Sequence, residues 1–194
     1  MSLPKFTSIA ALGIILMANA AQAADNELYA APPPDDAAFL RWIEPDQAPD
    51  VFGVASLGAE GDVFHPVSAS LTDGAEAGVY YTAAHAADGT VVVIEEPARA
   101  DRSKVLLTLL NLTDAPVRLV LAEQNVDVID TTPANDAGAR AVNPVAATLT
   151  VMTEDNTPLG SFDVKLRRGQ NVTFVARPDG AALIENRFGP NLEG

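Results

Sequence analysis

The chain contains no cysteine. That excludes disulfides, thiolate nucleophiles and sulfur-ligated zinc or iron–sulfur centres, so packing alone must hold the fold. Histidine is nearly as scarce: His65 and His85 are the only imidazoles in 194 residues, and imidazole is the usual acid–base group near neutral pH. Positive charge is thin as well, with 12 Lys and Arg against 26 Asp and Glu and a formal net charge of −14. A field of that sign disfavours nucleic acid, anionic membrane surfaces and free polyanions as primary ligands, and it keeps an exported protein soluble. Beyond the first residues no run reaches the roughly 20 apolar residues that span a bilayer. The most apolar stretch, Leu106 to Leu112, suits a buried strand.

The start of the chain reads as a secretory signal peptide. Lys5 supplies its positive charge, Ile9 to Met17 its apolar core, and Ala21-Gln22-Ala23 a small-x-small cleavage site. Cleavage after Ala23 and a soluble periplasmic location are therefore expected.

Short apolar or alternating runs recur through the rest, separated by Gly, Pro, Asn and Asp, with almost no helical periodicity. This is an all-β pattern. Strands are predicted near Ala38–Ile43, Val51–Leu57, Val63–Leu71, Gly78–Ala84, Thr90–Glu95 and Lys104–Leu112. Further ones are predicted near Val117–Ala122, Val126–Ile129, Val145–Met152, Gly160–Leu166, Asn171–Ala176 and Ala181–Glu185. Asp73-Gly74, Asp88-Gly89 and Asp179-Gly180 are tight-turn pairs, and Arg168-Gly169-Gln170 is a short hairpin loop. The polar segment Glu96 to Ser103, with Pro97, reads as an interdomain linker. The expected organisation is a signal peptide at 1–23, an N-terminal β domain at 24–97, a linker at 98–103 and a C-terminal β-sandwich domain at 104–190. Each domain has the size of a small sandwich.

Catalytic chemistry finds little to work with. Asp62 precedes His65 by three residues, a spacing used by SGNH-type esterases and acetyltransferases. However, no Gly-Asp-Ser block supplies a nucleophile, and on an extended strand the two side chains would face opposite ways. His85 sits at a predicted strand end. No His-x-His, His-x-x-x-His or Asp-x-Asp-x-Asp-Gly pattern supports a metal site, and no Gly-rich strand-to-helix loop supports a nucleotide cofactor. Neither a cofactor nor a metal is expected. Asn111-Leu112-Thr113 and Asn171-Val172-Thr173 fit a glycosylation pattern but serve equally as turn and strand residues. Trp42 reads as a core anchor. The cations gather in two groups, Arg99, Arg102 and Lys104 at the linker and Lys165, Arg167 and Arg168 at the hairpin. Either group is a docking patch for an acidic partner, or simply protection of exposed turns and edges.

Several segments resemble the AlgF family. Leu28-Tyr29-Ala30-Ala31-Pro32 and Ala38-Phe39-Leu40-Arg41-Trp42 are similar to the start of its mature chains. Val105 to Thr113 is similar to its strand ending in Asn-Leu-Ser or Asn-Leu-Thr. Ala141-Val142-Asn143-Pro144-Val145 is similar to its Asn-Pro-Val strand entrance, and Leu166-Arg167-Arg168-Gly169-Gln170 to its Arg-Gly hairpin. The resemblance implies two linked β-sandwich-like domains in the periplasm. It also implies a non-catalytic accessory role in alginate-like O-acetylation, as adaptor or relay. The implied partners are SGNH-type acetyltransferases and a membrane O-acyltransferase, with the anionic polysaccharide itself as a further possible ligand. The rival readings are a polysaccharide-binding module and an esterase or acetyltransferase built on His65.

Overall fold

Apolar side chains spaced two apart, interrupted by turn residues, give strands along the whole described chain. The computed structural model describes residues 33–44, 50–55, 61–97 and 101–188; the leader expected at 1–23, its cleavage site after Ala23, and Arg99 lie outside them. In chain order the strands are β1 (Ala37–Trp42), β2 (Val63–Ser68), β3 (Tyr80–His85), β4 (Val91–Glu96), β5 (Val105–Asn111), β6 (Val117–Leu121) and β7 (Val126–Thr132). They continue with β8 (Asp136–Val142), β9 (Ala146–Thr153), β10 (Pro158–Lys165), β11 (Asn171–Arg177), β12 (Gly180–Glu185) and the two-residue β13 (Arg187–Phe188). The all-β expectation holds.

The strands form three sheets, ordered β13-β2-β1-β3-β4, β12-β11-β5-β8 and β10-β9-β6-β7. The second is the middle layer. On one side Val105, Leu107 and Leu109 of β5, with Val172, Phe174 and Ala176 of β11, close a sandwich against Leu119, Ile129, Leu149, Val151 and Val164 of the third sheet. On the other side Leu110 and Val175 pack against Ile43, Ala84 and Ile94 of the first. Strands β5 and β11 pair in parallel, Asn171 opposite Leu106 through Ala176 opposite Asn111. Parallel strands covered on both faces read as continuous apolar runs, which accounts for the sequence Val-Leu-Leu-Thr-Leu-Leu of β5. The first sheet has its own outer core, where Leu40, Trp42, Tyr81 and Ala83 lie under Val51 and Phe52. Trp42 is therefore the core anchor its sequence context suggested.

Two differences from the sequence reading have plain physical causes. Val51 to Val54 does not extend as a strand. Phe52 and Gly53 take positive φ (53° and 75°), reversing the chain so that Val51 and Val54 bond each other. This turn drops the Phe52 ring edge-on against Tyr81, with centroids 4.9 Å apart. Conversely, Asp136–Val142 is a strand although it contains almost no β-branched residue. Its small side chains match a tight site: a Cβ on Gly138 would lie 2.5 Å from Thr132 Oγ1 and 2.7 Å from Ile129 Cγ2. Glycine is what lets β8 fold in close beneath β7.

The described strands, β1 to β13, fall within one compact unit. Strands β1 to β4 build the first sheet, β5 to β12 the other two, and β13 returns to pair in parallel with β2. A buried polar seam lies where the first sheet meets the middle one. Arg41 is fully buried; its Nε donates to Thr82 Oγ1 (3.1 Å), its Nη1 to Asn186 Oδ1 (2.6 Å) and its Nη2 to Glu96 Oε1. The guanidinium carbon stands 4.4 Å over the Phe64 ring. Asn186 also donates from Nδ2 to Thr173 Oγ1 of β11 (2.9 Å), carrying the network across the interface.

The Asn-Leu-Thr motif is a second lock. Asn111 is fully buried, and its Nδ2 donates to the carbonyls of Ala115 (2.8 Å), Thr132 (3.0 Å) and Pro133 (3.0 Å). Its Oδ1 accepts from Thr113 N (3.0 Å) and Thr113 Oγ1 (2.7 Å). One amide thus ties the loop after β5 to the loop after β7.

Two stability predictions follow from these locks. Removing one member of the buried ion pair leaves the other charge uncompensated, so Arg41→Met or Glu96→Leu alone should cost about 3–5 kcal/mol in urea denaturation. The double variant should recover most of that loss. Asn111→Asp keeps the acceptor but removes every donor, and should cost at least about 2 kcal/mol; Thr113→Val should cost about 1 kcal/mol.

Candidate functional site

The two imidazoles lie on separate strands of the first sheet. His85 ends β3, and its Nδ1 lies 3.2 Å from Glu44 Oε2. Glu44 Oε1 in turn takes Arg177 Nη1 of β11 at 3.1 Å, so this carboxylate joins the first sheet to the middle one. His65 lies within β2 opposite Leu40, its ring 6.3 Å from the Trp42 ring on the outer face of the first sheet. Asp62 belongs to the turn that precedes β2.

The hydroxyls of Ser68, Ser70 and Ser161 have hydrogen-bond partners other than imidazole. Ser68 Oγ donates to Asp36 (2.9 Å), and Ser70 Oγ lies 2.9 Å from Ser68 Oγ. The backbone N–H of Ser70 donates to Asp36 Oδ2 at 2.9 Å. That N–H, followed by the Ser70 and Ser68 hydroxyls, holds the Asp36 carboxyl below the ordinary carboxylate range. A carboxylate so stabilised is a poor base, and its place beside the short 3-10 turn Ala69–Leu71 marks it as a cap for that turn. Ser161 pairs with Thr150 across β9 and β10.

Cations from the two groups meet at one end of the middle sheet, Lys104 before β5 and Arg167 and Arg168 before β11, while Lys165 ends β10 of the third sheet. Parallel pairing of β5 and β11 sets the residues before each strand side by side, and Gly169 N–H donates to Lys104 O at 2.9 Å. Gly169 has φ +79°, the conformation glycine adopts at no steric cost. It closes the tight loop in which Arg167 N–H donates to Gln170 Oε1 (2.9 Å) and Gln170 N–H to Arg167 O (3.1 Å). Arg102, Lys165, Arg167 and Arg168 are exposed, while Lys104 is half-buried with its Nζ 2.6 Å from Asn143 Oδ1. Arg99 lies outside the described residues. The Asp101 carboxyl sits among these cations; hydrogen bonds from Ser103, and then the nearby Lys104 and Arg168, hold it below the ordinary carboxylate range.

Most other cations among the described side chains are already committed. Arg41 pairs with Glu96, Arg118 with Asp127 and Arg177 with Glu44. Arg140 donates from Nη1 to the carbonyls of Asp127 (3.4 Å) and Val128 (3.1 Å) on β7. It borders an open groove of about 490 Å³ between β7 and β8, which Asp130 and Asp136 also line. Among the described residues, Arg102, Lys165, Arg167 and Arg168 have no carboxylate within salt-bridge distance.

Sequence reasoning singled out the cationic groups but could not join them, since 60 residues separate Lys104 from the hairpin loop and the joining is done by parallel pairing. It also passed over Arg41. The available signal was an arginine flanked by Leu40 and Trp42 inside an otherwise apolar strand, which demands a buried partner.

Comparison with known proteins bears on the whole chain. A family model described as alginate O-acetyl transferase AlgF matches residues 65–173, more than half of the sequence. The alginate biosynthesis protein AlgF of Pseudomonas syringae pv. tomato is 28% identical, over 91% of this chain and 87% of that protein. That of Pseudomonas putida is 27% identical, over 94% and 92%. That of Pseudomonas aeruginosa is 25% identical, over 89% and 88%. The solved C-terminal domain of Pseudomonas aeruginosa AlgF superposes with a TM-score of 0.38 at 24% identity, covering 44% of this chain and 99% of that domain. With a family match across the first sheet's β2 to the centre of β11, and relatives similar along nearly their full length, the chain belongs to the AlgF family, the family described by its part in alginate O-acetylation.

Proposed function

We propose that this protein is an exported accessory factor in the O-acetylation of an alginate-like exopolysaccharide. It works in the periplasm as an adaptor or relay between a membrane O-acyltransferase that delivers acetyl groups and SGNH-type acetyltransferases that transfer them. It contributes binding surface and no reacting group of its own. The observation that carries this reading is where the histidines lie. An acyl-transfer site needs a nucleophile hydrogen-bonded to a base. Here His85 is spent on the Glu44–Arg177 link between sheets, and His65 packs at Trp42. The hydroxyls of Ser68 and Ser70 bond to a carboxylate and to each other. The amino-terminal pattern ending at Ala23 supports export. Among the described residues no helix is long and apolar enough to cross a membrane.

Deleting the gene should leave polymer of normal length with low acetyl content, measured by infrared or NMR quantification of the ester. Wild-type protein and a folded His65→Gln variant should both restore acetylation, and both transferase-type proteins should co-purify with a tagged copy. Normal acetylation in the deletion strain would remove the accessory role. Failure of folded His65→Gln to restore it would favour an enzyme instead.

A further inference from the structure

A strand at the edge of a sheet offers unpaired N–H and C=O groups to any extended chain, and folded proteins cover, shorten, bend or charge such edges. Among the described strands six lie at sheet edges: β13 and β4, β12 and β8, β10 and β7. Five of them are managed in these ways. Strand β13 is only two residues long. Strand β10 opens on Pro158 with a register shift behind it, and it lies against β12, where a Cβ on Gly160 would stand 3.1 Å from Ala181 Cβ. Strand β8 folds beneath β7 at Gly138; β7 is irregular in register, and Arg140 donates to its Asp127 and Val128 carbonyls. Strand β4 has none of these devices. It pairs with β3 without a shift from Val91 to Glu96, and it contains no proline, glycine, lysine or arginine.

The open side of β4 can be assigned residue by residue. Ala86 N–H donates to Thr90 O at 2.8 Å, which makes these two a hydrogen-bonded pair of the β3–β4 hairpin. Such pairs alternate along an antiparallel ladder. Ala84 with Val92 and Thr82 with Ile94 therefore bond each other, and the backbone groups of Val91, Val93 and Glu95 turn away from β3. The same three residues carry exposed side chains, Val91 at 44% and Val93 at 41%, while Ile94 faces the core between the first and middle sheets. The edge is also preformed. Asp88 fixes the hairpin turn by accepting from Thr90 N–H (2.9 Å) and Oγ1 (2.6 Å), and Glu96 at the far end is held in the pair with Arg41.

We infer that the edge of β4 is a docking site for an extended segment of a partner protein, with apolar and cationic residues in alternation, that joins the five-stranded first sheet as a further strand. Backbone bonds to Val91, Val93 and Glu95 supply affinity, and the two valines receive every second side chain of the incoming strand. Charge selects the occupant. Asp88 and Glu95 are exposed beside this edge, and from Tyr80 to Glu96 the chain has no lysine or arginine. Opposite charges set across neighbouring strands stabilise the pairing. A second copy of this chain would instead bring two bodies of formal net charge −14 together, with no cation to set against Asp88 or Glu95. The inference deepens the adaptor role proposed above, on which the existence of such a partner rests, by giving that role a surface.

The test uses the whole mature protein and a labelled octapeptide of alternating valine and lysine. In the free protein the amide hydrogens of Val91, Val93 and Glu95 should exchange rapidly by NMR and those of Val92 and Ile94 slowly; the peptide should slow the first three. Val93→Pro removes one outward N–H without touching the ladder to β3, and should weaken binding by about tenfold in fluorescence anisotropy. Val93→Lys, which guards the edge with a cation, should weaken it as well, while Val126→Lys on β7 should change it little. Slow exchange of the three amides in the free protein overturns the inference, because the edge would already be covered. Absence of peptide binding, or a Val93→Pro protein that binds as wild type, overturns it too. Equal affinity for a valine–glutamate octapeptide overturns the cationic occupant, and a dimer that Val93→Pro abolishes overturns it in favour of a second copy. Acetyl content in the deletion strain tests the accessory role without the peptide, so the two readings fail separately.

Discussion

The parallel pairing of β5 with β11, covered on both faces, is the constraint from which the rest of the architecture follows. A strand in that position has no solvent-facing side, so nearly every residue must be apolar or fully hydrogen-bonded. Val105, Leu107 and Leu109 on one face and Leu110 on the other satisfy the first condition. Asn111 satisfies the second, closing three carbonyls and two donors of the adjoining loops. Because the pairing is parallel, both strands begin at the same end. Whatever precedes them in sequence, Lys104 on one side and Arg167 to Gln170 on the other, is brought together there.

The same constraint explains the seam against the first sheet. Its apolar part, Ile43, Ala84, Ile94, Leu110 and Val175, supplies attraction without direction. The polar part, Arg41, Thr82, Glu96, Asn186 and Thr173, fixes how the sheets sit, since a shift of either would strand a buried charge. A buried ion pair is a weak source of net stability but a strong penalty on misalignment. The return of β13 to β2 and the Glu44 link to His85 and Arg177 act in the same direction. Strands separated by over 100 residues are thus held in one arrangement, and surfaces on the first sheet and the sandwich are presented at a fixed relation.

Much of this was legible in the sequence because it is local. Alternation and turn pairs located β1, β3, β4 and most later strands to within a residue or two. What escaped depends on neighbours that are remote in sequence. Asp136–Val142 has the composition of a loop, and only the nearness of Thr132 and Ile129 explains a strand that is poor in bulk. Val51 to Leu57 reads as extended from its residues, yet Phe52 accepts positive φ, with its ring set against Tyr81. The Asn-Leu-Thr motif was visible as a resemblance and as a glycosylation pattern. Its burial removes the second reading and supplies a physical reason for the first. Cation positions were legible one group at a time, their convergence only through strand pairing.

Charge is distributed as selectively as apolar surface. Arg41, Arg118 and Arg177 are spent on carboxylates and Arg140 on two carbonyls of β7, so most of the described cations hold strands and sheets to one another. Arg102, Lys165, Arg167 and Arg168 are exposed instead, in a chain of formal net charge −14. Arg167 and Arg168 stand beside the residues before β5 only because β11 pairs with β5 in parallel; an antiparallel partner would have carried them to the opposite end of the sheet. The arrangement, more than the composition, is what the fold supplies.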